Sequence, residues 1–462
     1  MLAACGWSSA TEAPVKSNGA LPVIAAPRSL APDGSHFLSA SGTPVLWLAD
    51  TWWFCPSTLC PIDGSSNAAI PSMFKALVDQ RAKQGFNVIQ VAFQGPAAPG
   101  LGGVGGLYAR QGNEQDRARV WQSARQYVQY ANSRGLAVAI AASFHSGLDG
   151  LSLQQLQALW KDLVEALGEF EVIWLIAGEY NLIPPEGRMA KVDALAYYIR
   201  SIDQHQRLLT VHPADWTRNA PTLVQASWMD FTMVQAGHGA LPPAAVYQPL
   251  QRRGNTVPVE ESECRYEGIY GRVTAAQVRH CMVRSIQAGA IGFSYGAHGL
   301  WYPTQGTTDA TFAEYGVARP WWEAVNYPGA AALARVRGFF ERQRWWTMAA
   351  RPDAVVTGER IPDEQRPLAR LQADERALIW FPAGVSSEVP YSLKGLTVGV
   401  VYAAQWINGE LGDADQPLQT EAITAQARLT ALPSRPSAGE WFLRIERMAT
   451  DPAGRPDQNN RN

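Results

Sequence analysis

Between residues 44 and 329, short apolar runs alternate with longer segments whose apolar positions recur with a helical period. Such alternation is typical of β-strands that are each followed by an amphipathic α-helix. Strands are predicted at residues 45–50, 87–93, 137–143, 172–177, 208–212, 229–235, 257–261 and 290–295. Helices are predicted at residues 72–84, 115–133, 152–170, 189–204, 244–253 and 274–288, with a short, poorly helical connection between the fifth and sixth strands.

Eight strands that mostly alternate with helices favour a (β/α)8 barrel, the TIM barrel, over an open doubly wound sheet, which usually has fewer strands. The glycine-rich segment 99–106 does not lead directly into a helix, so it does not resemble a phosphate-binding loop. After a further helix at 331–343 the pattern changes to short alternating segments separated by turn residues, which predicts a small C-terminal antiparallel β-sandwich. The predicted division is an N-terminal tether at 1–27, the barrel at 28–344, the β-sandwich at 345–450 and a disordered tail at 451–462.

The composition predicts a folded protein with a neutral ligand. Hydrophobic residues make up 47% of the chain, and 39 basic residues nearly balance 41 acidic ones, for a net charge of −2. No net field therefore draws the protein toward nucleic acid, and we expect no nucleic-acid partner. The 17 tryptophans suggest surfaces that stack on sugars, although a large aromatic core would also account for them.

The first residues and the cysteines indicate the cellular compartment of the protein. Residues 2–6, which include Cys5, resemble the lipobox of bacterial lipoproteins, and a polar segment that follows would serve as a tether. We therefore expect export to the cell envelope, periplasmic or outer-surface, with membrane attachment only through a lipid on Cys5. The other cysteines lie in pairs, five residues apart at Cys55 and Cys60 and seventeen apart at Cys264 and Cys281, so they form either two local disulfides or buried free thiols.

Polar side chains cluster where the predicted strands end, which is the end of a barrel that carries its chemistry. Two carboxylates stand out, Glu179 after the fourth strand and Glu263 after the seventh, on opposite sides of the barrel mouth. Paired carboxylates are the machinery of glycoside hydrolysis, in which one protonates the leaving oxygen and the other attacks C1 or activates water. Glu261 shares a strand face with Glu263 by alternation, so Glu261 or Glu267 could replace it. Each glutamate could instead form a salt bridge or cap a helix.

The remaining polar and aromatic residues at these strand ends are predicted to bind sugar hydroxyls or stack on sugar faces. They are Asp50, Trp52, Gln94, His145, Asn181, His212, Gln235, His238, Tyr266, Tyr295, His298 and Trp301. A metal site is weakly supported, because the first strand lacks a His-x-His pair and the histidines are spread singly around the mouth. We predict no metal and no cofactor.

Six ordered segments together resemble the apiosidase-like barrel of glycoside hydrolase family 140. They are residues 45–53, 81–91, the Gly178 and Glu179 turn, residues 230–238, 263–268 and 292–301. The segment 405–410 is similar to a turn of the collagen-binding-type β-domain that often follows this barrel. The resemblance implies a hydrolase of plant cell-wall glycans, with Glu179 as acid/base and Glu263 as nucleophile. Family members often have Asp where this chain has Glu179, so linkage and substrate can differ.

The sequence therefore predicts a glycoside hydrolase that acts on a side chain of a plant cell-wall-type or microbial polysaccharide. Retention of configuration is expected if the two carboxylates lie about 5 Å apart, and inversion if they lie about 6.5 to 9.5 Å apart. The expected partner is a polysaccharide or oligosaccharide. The first alternative is a carbohydrate-binding or surface-adhesion protein without turnover. The second is a metal-dependent amidohydrolase.

Overall fold

The computed structural model describes residues 26–57, 59–93, 108, 114–182, 187–215, 221–252, 254–306, 310–411 and 416–449. The strands are β1 Ser29–Leu30, β2 Phe37–Leu38, β3 Pro44–Val45, β4 Trp47–Trp52, β5 Val88–Ala92, β6 Ala137–Ala141, β7 Val172–Leu175, β8 Leu209–Thr210, β9 Thr232–Gly237, β10 Leu250–Arg252, β11 Asn255–Val257, β12 Val259–Cys264, β13 Gly292–Tyr295, β14 Ala349–Arg351, β15 Val355–Val356, β16 Leu368–Gln372, β17 Arg376–Phe381, β18 Ser392–Leu393, β19 Val401–Asn408, β20 Gln419–Thr424, β21 Thr430–Ala431 and β22 Trp441–Arg447. The α-helices are α1 Met73–Lys83, α2 Glu114–Ser133, α3 His145–Gly150, α4 Leu153–Leu167, α5 Arg188–Ile202, α6 Pro221–Val224, α7 Ala275–Ala288, α8 Trp321–Ala324 and α9 Pro328–Arg342.

Eight parallel strands form the barrel in the order β8-β7-β6-β5-β4-β13-β12-β9. Each of the eight predicted strands is present, within a few residues of its predicted position. The end strand β8 is joined to the two residues before β9. Asp230 N donates to Leu209 O at 3.1 Å, Leu209 N donates to Asp230 Oδ2 at 2.8 Å, and Thr210 Oγ1 donates to Phe231 O at 2.6 Å. The barrel prediction is confirmed, and the C-terminal ends of all eight strands lie at the same end of the barrel.

Side-chain caps define where several barrel helices begin. Ser72 accepts a hydrogen bond from Lys75 N at the start of α1, and Ser152 and Thr274 form capping boxes at α4 and α7. The helix predicted at 244–253 is wrong. A single 3-10 turn, Ala244–Tyr247, is followed there by the β10–β11 hairpin. Pro243 before the turn and Gly254 with φ +75° inside the hairpin favour this arrangement.

A small antiparallel sheet, β1-β2-β3, precedes the barrel. Phe37 in β2 packs against Trp47 of the first barrel strand, with ring centroids 5.5 Å apart, and edge-on against Phe231 at 5.1 Å. Phe231 lies directly before β9 and Trp47 begins β4. The sheet therefore covers the N-terminal end of the barrel and leaves the C-terminal end for the site.

The C-terminal region forms a six-stranded antiparallel sheet, β14-β16-β17-β22-β19-β20, and a three-stranded sheet, β15-β18-β21, with a shared apolar core. The larger sheet also packs on the barrel. Phe442 of β22 lies 4.6 Å from Phe339 of α9, and the buried Arg370 of β16 donates to Ile286 O at the end of α7. Glu364, before β16, accepts hydrogen bonds from Leu241 N and Arg265 Nη2, so this region also contacts the segments after β9 and β12.

Both cysteine pairs are bonded, Cys55 to Cys60 and Cys264 to Cys281. The second bond joins the end of β12 to helix α7 and therefore anchors the strand that carries Glu263. Among the described residues, none of the helices is long and apolar enough to cross a membrane.

Candidate active site

Glu179 lies in the segment after β7, on a backbone that side chains other than glycine rarely adopt. Its φ is +47°, in the left-handed region, where a non-glycine residue is strained. The preceding Gly178 packs so closely on Phe144 that an added Cβ would lie 2.8 Å from the ring. Gly178 also donates to Ser143 O and accepts from His145 N, which ties this segment to the one after β6. These contacts hold Glu179 in its strained conformation at the barrel mouth.

Glu263, near the end of β12, is held by two hydrogen-bond donors. His238 Nε2 lies 3.3 Å from its Oε1, and Tyr266 Oη donates to Oε2 at 2.8 Å. The Tyr266 backbone N–H in turn donates to His238 Nδ1 at 3.4 Å, which fits the tautomer with its proton on Nε2. Burial alone would raise the pKa of Glu263, but the hydrogen bond from His238, the positive charge that His238 and His212 carry when protonated, and the hydrogen bond from Tyr266 lower it below its usual value. Glu263 is therefore ionised at neutral pH.

Glu179 has the opposite electrostatic environment. Its pKa is raised to about 7, first because it is buried and second because the negative charge of Glu263 is near. A hydrogen bond from Gln235 Nε2 to Glu179 Oε1, 3.1 Å long, only partly offsets this rise. The two carboxylates thus interact, and between the pKa values of the two groups Glu179 holds its proton while Glu263 is ionised.

The other glutamates near Glu263 have partners of their own. A bulge between β12 and β9 separates Glu261 from Glu263, so simple alternation fails there and the expected shared face is wrong. Glu261 accepts from Tyr247 Oη at 2.6 Å and from the Glu263 backbone N–H at 3.0 Å, and burial raises its pKa to about 8. Glu267 accepts from Tyr295 Oη and from Gly329 N. Of these three candidates, only Glu263 contacts His238.

Four of the residues expected to bind sugar are engaged by the protein itself. Asp50 and Trp52 are fully buried and face helix α1, where Asp50 pairs with Arg81 at 2.5 Å. Tyr295 is also fully buried and donates to Glu267. His298 Nε2 lies 3.0 Å from Gly316 O, and its Nδ1 accepts from Trp301 Nε1 at 3.3 Å. Asp50, Trp52 and Tyr295 are buried, and both ring nitrogens of His298 already have partners in the protein. The structure therefore gives these four residues a role inside the protein and not in sugar binding.

The remaining predicted residues lie around the two carboxylates or support them. Gln235, His238 and Tyr266 contact Glu179 or Glu263, as described above. His212 is fully buried with its ring 5.2 Å from Trp53, and burial lowers its pKa to about 4, so it is neutral. Asn181 joins the segments after β7 and β8 through two hydrogen bonds to Ala214.

His145 begins helix α3, where its Nδ1 is buried and has no hydrogen-bond partner among the described residues. Two predicted residues, Gln94 and Cys5, lie outside the described residues. Within the part of the chain that the structure describes, no three His, Cys, Asp or Glu side chains come together as a metal site would require.

Aromatic rings line the side of the mouth next to Glu263. Trp301 is 8% exposed and packs edge-on against Tyr315, with centroids 5.6 Å apart. Tyr270 lies 5.9 Å from Tyr315 and 6.3 Å from His238. Sequence reasoning missed both tyrosines, although Tyr270 lies between Gly268 and Gly271 after a barrel strand, which is a signal for an unusual turn.

Comparison with known proteins agrees with the fold. Residues 31–347 match the family described as the apiosidase-like catalytic domain. One solved glycoside hydrolase is similar at 20% identity, with a TM-score of 0.68 over 92% of this chain and 98% of that chain. A glycoside hydrolase family 5 from Bacteroides vulgatus ATCC 8482 is similar at 21% identity, with a TM-score of 0.70 over 92% of this chain and 93% of that chain.

At these identities the two solved structures show a shared fold. A search of the curated proteins finds no match. The family match extends over most of the chain and includes the whole barrel with both Glu179 and Glu263. The protein therefore belongs to the family of apiosidase-like catalytic domains.

Proposed function

We propose that the protein is a glycoside hydrolase that cleaves a glycosidic bond in a side chain of a plant cell-wall-type or microbial polysaccharide. The observation that carries the proposal is the opposite state of two interacting carboxylates. Burial and a neighbouring charge keep Glu179 protonated up to about pH 7, whereas the donors around Glu263 keep it ionised. A protonated acid and an ionised carboxylate at one site are what glycoside hydrolysis needs, and we assign the ionised Glu263 the role of nucleophile, with retention of configuration. Membership in the apiosidase-like family supports the same chemistry.

In this mechanism Glu179 donates its proton to the glycosidic oxygen as the bond from that oxygen to C1 breaks. The Glu263 carboxylate attacks C1 from the other face and forms an ester with the sugar. Glu179, now ionised, takes a proton from water, whose oxygen attacks C1 and releases Glu263 as a carboxylate. His238 and Tyr266 hold Glu263 in place for both displacements, since each donates to a different oxygen of its carboxylate.

The direct test is release of reducing sugar from pectin and xylan by wild type, Glu179→Gln and Glu263→Gln. Glu165→Gln is the matched control, because Glu165 is an exposed glutamate on helix α4 that pairs with Lys161. The proposal predicts release by wild type and the control, with a loss of about 100-fold or more in either active-site variant. Equal release of sugar by all four proteins would refute Glu179 and Glu263 as the catalytic carboxylates. Glycan binding without release by any of them would favour the carbohydrate-binding alternative.

We also propose export with a lipid on Cys5. The two disulfides support an oxidising compartment, where such bonds persist. The test is fractionation of cells that express the protein from its natural gene, with wild type beside Cys5→Ser. Wild type is expected in the membrane fraction and Cys5→Ser in the soluble envelope fraction. An equal distribution of the two would refute lipid attachment at Cys5.

A further inference from the structure

Tyr270 combines an exposed ring with a strained backbone. The residue is 39% exposed, and its φ of +55° and ψ of +17° lie in the left-handed region. That region is costly for a bulky residue such as tyrosine, whereas Gly268 and Gly271 on either side adopt positive φ without penalty. Strain of this kind is concentrated at functional sites, and here it orients a tyrosine whose surface is partly open to solvent.

A second tyrosine lies beside it on a different segment. The rings of Tyr270 and Tyr315 are 5.9 Å apart and inclined by 39°, and the Arg272 guanidinium lies 5.3 Å from the Tyr270 ring. We refer to Tyr270 and Tyr315 as the rim tyrosines. Tyr270 follows β12 and Tyr315 follows β13, so they come from adjacent barrel strands.

The rim tyrosines are held at a fixed separation. Gly316 packs so closely on the Tyr270 backbone that an added Cβ would lie 3.2 Å from the Tyr270 Cα. His298 Nε2 is 3.0 Å from Gly316 O, which anchors the same segment from the barrel side. The chain therefore uses His298, one of the residues first expected to bind substrate, to position Tyr315.

The pair also lies next to the two carboxylates. His238, which contacts Glu263, has its ring 6.3 Å from Tyr270 and 6.4 Å from Tyr315. The pKa of Tyr315 is raised, first by burial, then by Tyr270 and by the charges of Glu179 and Glu263. A group that interacts with both carboxylates lies beside the space where the reacting sugar would bind.

We propose that Tyr270 and Tyr315 form a second sugar-binding subsite, which holds the glycan unit next to the one whose bond is cleaved. The proposal rests on the function proposed above. A pyranose or furanose ring presents C–H groups on one face and hydroxyls at its edge. Tyrosine rings match both, because their faces are apolar and their hydroxyls can donate or accept. The strained, preorganised backbone lowers the entropy cost of binding.

The test compares a glycan with a substrate too small to reach the rim. The two substrates are the polysaccharide that wild type hydrolyses and the glycosyl fluoride of the sugar it releases. Tyr270→Ala is expected to lower kcat/KM for the polysaccharide about 10-fold, the effect of one aromatic contact, and to leave the fluoride within about 2-fold. The control is Tyr197→Ala, which removes a tyrosine that is 48% exposed on helix α5. Tyr197→Ala should leave kcat/KM unchanged for both substrates.

Equal losses on both substrates, or no loss on either, would overturn the subsite. Tyr270→Gly separates binding from folding, because glycine relieves the strained φ. It should keep or raise the melting temperature while showing the same loss on the polysaccharide, whereas a purely structural Tyr270 would lower the melting temperature.

If wild type releases no sugar, pectin and xylan are tested for binding by affinity electrophoresis. Weaker retardation of Tyr270→Ala than of wild type would support the subsite although hydrolysis had failed. Unchanged retardation, or none with wild type, would overturn it.

Discussion

The replacement Glu263→Gln should lower the pKa of Glu179, because it removes the second largest cause of that raised pKa. In glycosidases the two carboxylates lie about 5 to 9.5 Å apart. At an effective dielectric constant of about 20, two unit charges at such distances repel by about 2–3 kcal/mol. That repulsion corresponds to about 1–2 pKa units. We therefore expect the pKa of Glu179 to fall from about 7 to between about 5 and 6, and to stay above 4.5 because burial remains.

The assay is a pH titration of protein labelled with ¹³C at the glutamate carboxyl carbons, followed by NMR. The Glu179 signal is assigned as the one missing from Glu179→Gln. Glu267→Gln is the control, since Glu267 is bound by Tyr295 and Gly329 and does not contribute to the raised pKa of Glu179. An unchanged Glu179 titration in Glu263→Gln would refute the coupling between the two carboxylates. A fall to 4.5 would refute burial as the main cause.

The same pKa shifts predict how the activity of wild type depends on pH. An acid catalyst must be protonated, so kcat/KM should fall as the pH rises through about 7, the pKa of Glu179. A nucleophile must be ionised, so kcat/KM should fall at low pH only below the usual pKa of a glutamate, because the pKa of Glu263 is lowered. The bell-shaped profile therefore has its maximum between about 4.5 and 7. An optimum above pH 8 in the measured profile would contradict the roles assigned to the two residues.

Two further substitutions test the structural support of the site. Asp50→Ala leaves Arg81 buried without its carboxylate and should destabilise the fold by about 3–5 kcal/mol in urea unfolding. A change below about 1 kcal/mol would show that the pair is dispensable. Gly296→Ala places a Cβ where the Tyr266 ring lies and should displace the hydroxyl that donates to Glu263. Loss of one hydrogen bond to a charged group predicts a fall in kcat of about 10- to 100-fold. The acid side of the pH profile should also move to higher pH, because ionised Glu263 loses a donor. A pH profile with an unchanged acid side would argue against the role of Tyr266.

The barrel could be predicted because its pattern is local. Each strand is an apolar run of a few residues, and each long helix is an amphipathic segment, so periodicity identifies both. The helix predicted at 244–253 was wrong because Pro249 lies in the middle of the segment and disfavours a helix there, so that only Ala244–Tyr247 forms a helical turn. The positions of Glu179 and Glu263 also followed from the sequence, since strand ends in a barrel meet at one mouth.

What the sequence could not predict depends on side-chain direction and on distant contacts. Asp50 and Trp52 flank Thr51 in β4, and their side chains point to the face opposite to that of Thr51. An error of one residue in a predicted strand therefore assigns a side chain to the wrong face. The bulge that separates Glu261 from Glu263 leaves no mark in the sequence. His298 is engaged by Gly316, which lies eighteen residues later in a segment without regular periodicity.

The most direct test of the assigned roles is chemical rescue by azide, with the glycosyl fluoride as substrate and the product analysed by NMR. Small nucleophiles replace a missing carboxylate, and the configuration of the glycosyl azide reveals which carboxylate was removed. In Glu179→Ala, Glu263 still forms the sugar ester and azide displaces it, so the azide product should have the configuration of the substrate. In Glu263→Ala, azide attacks C1 directly and the product should have the opposite configuration. The reverse pattern, or no rescue of either variant, would contradict Glu179 as acid/base and Glu263 as nucleophile.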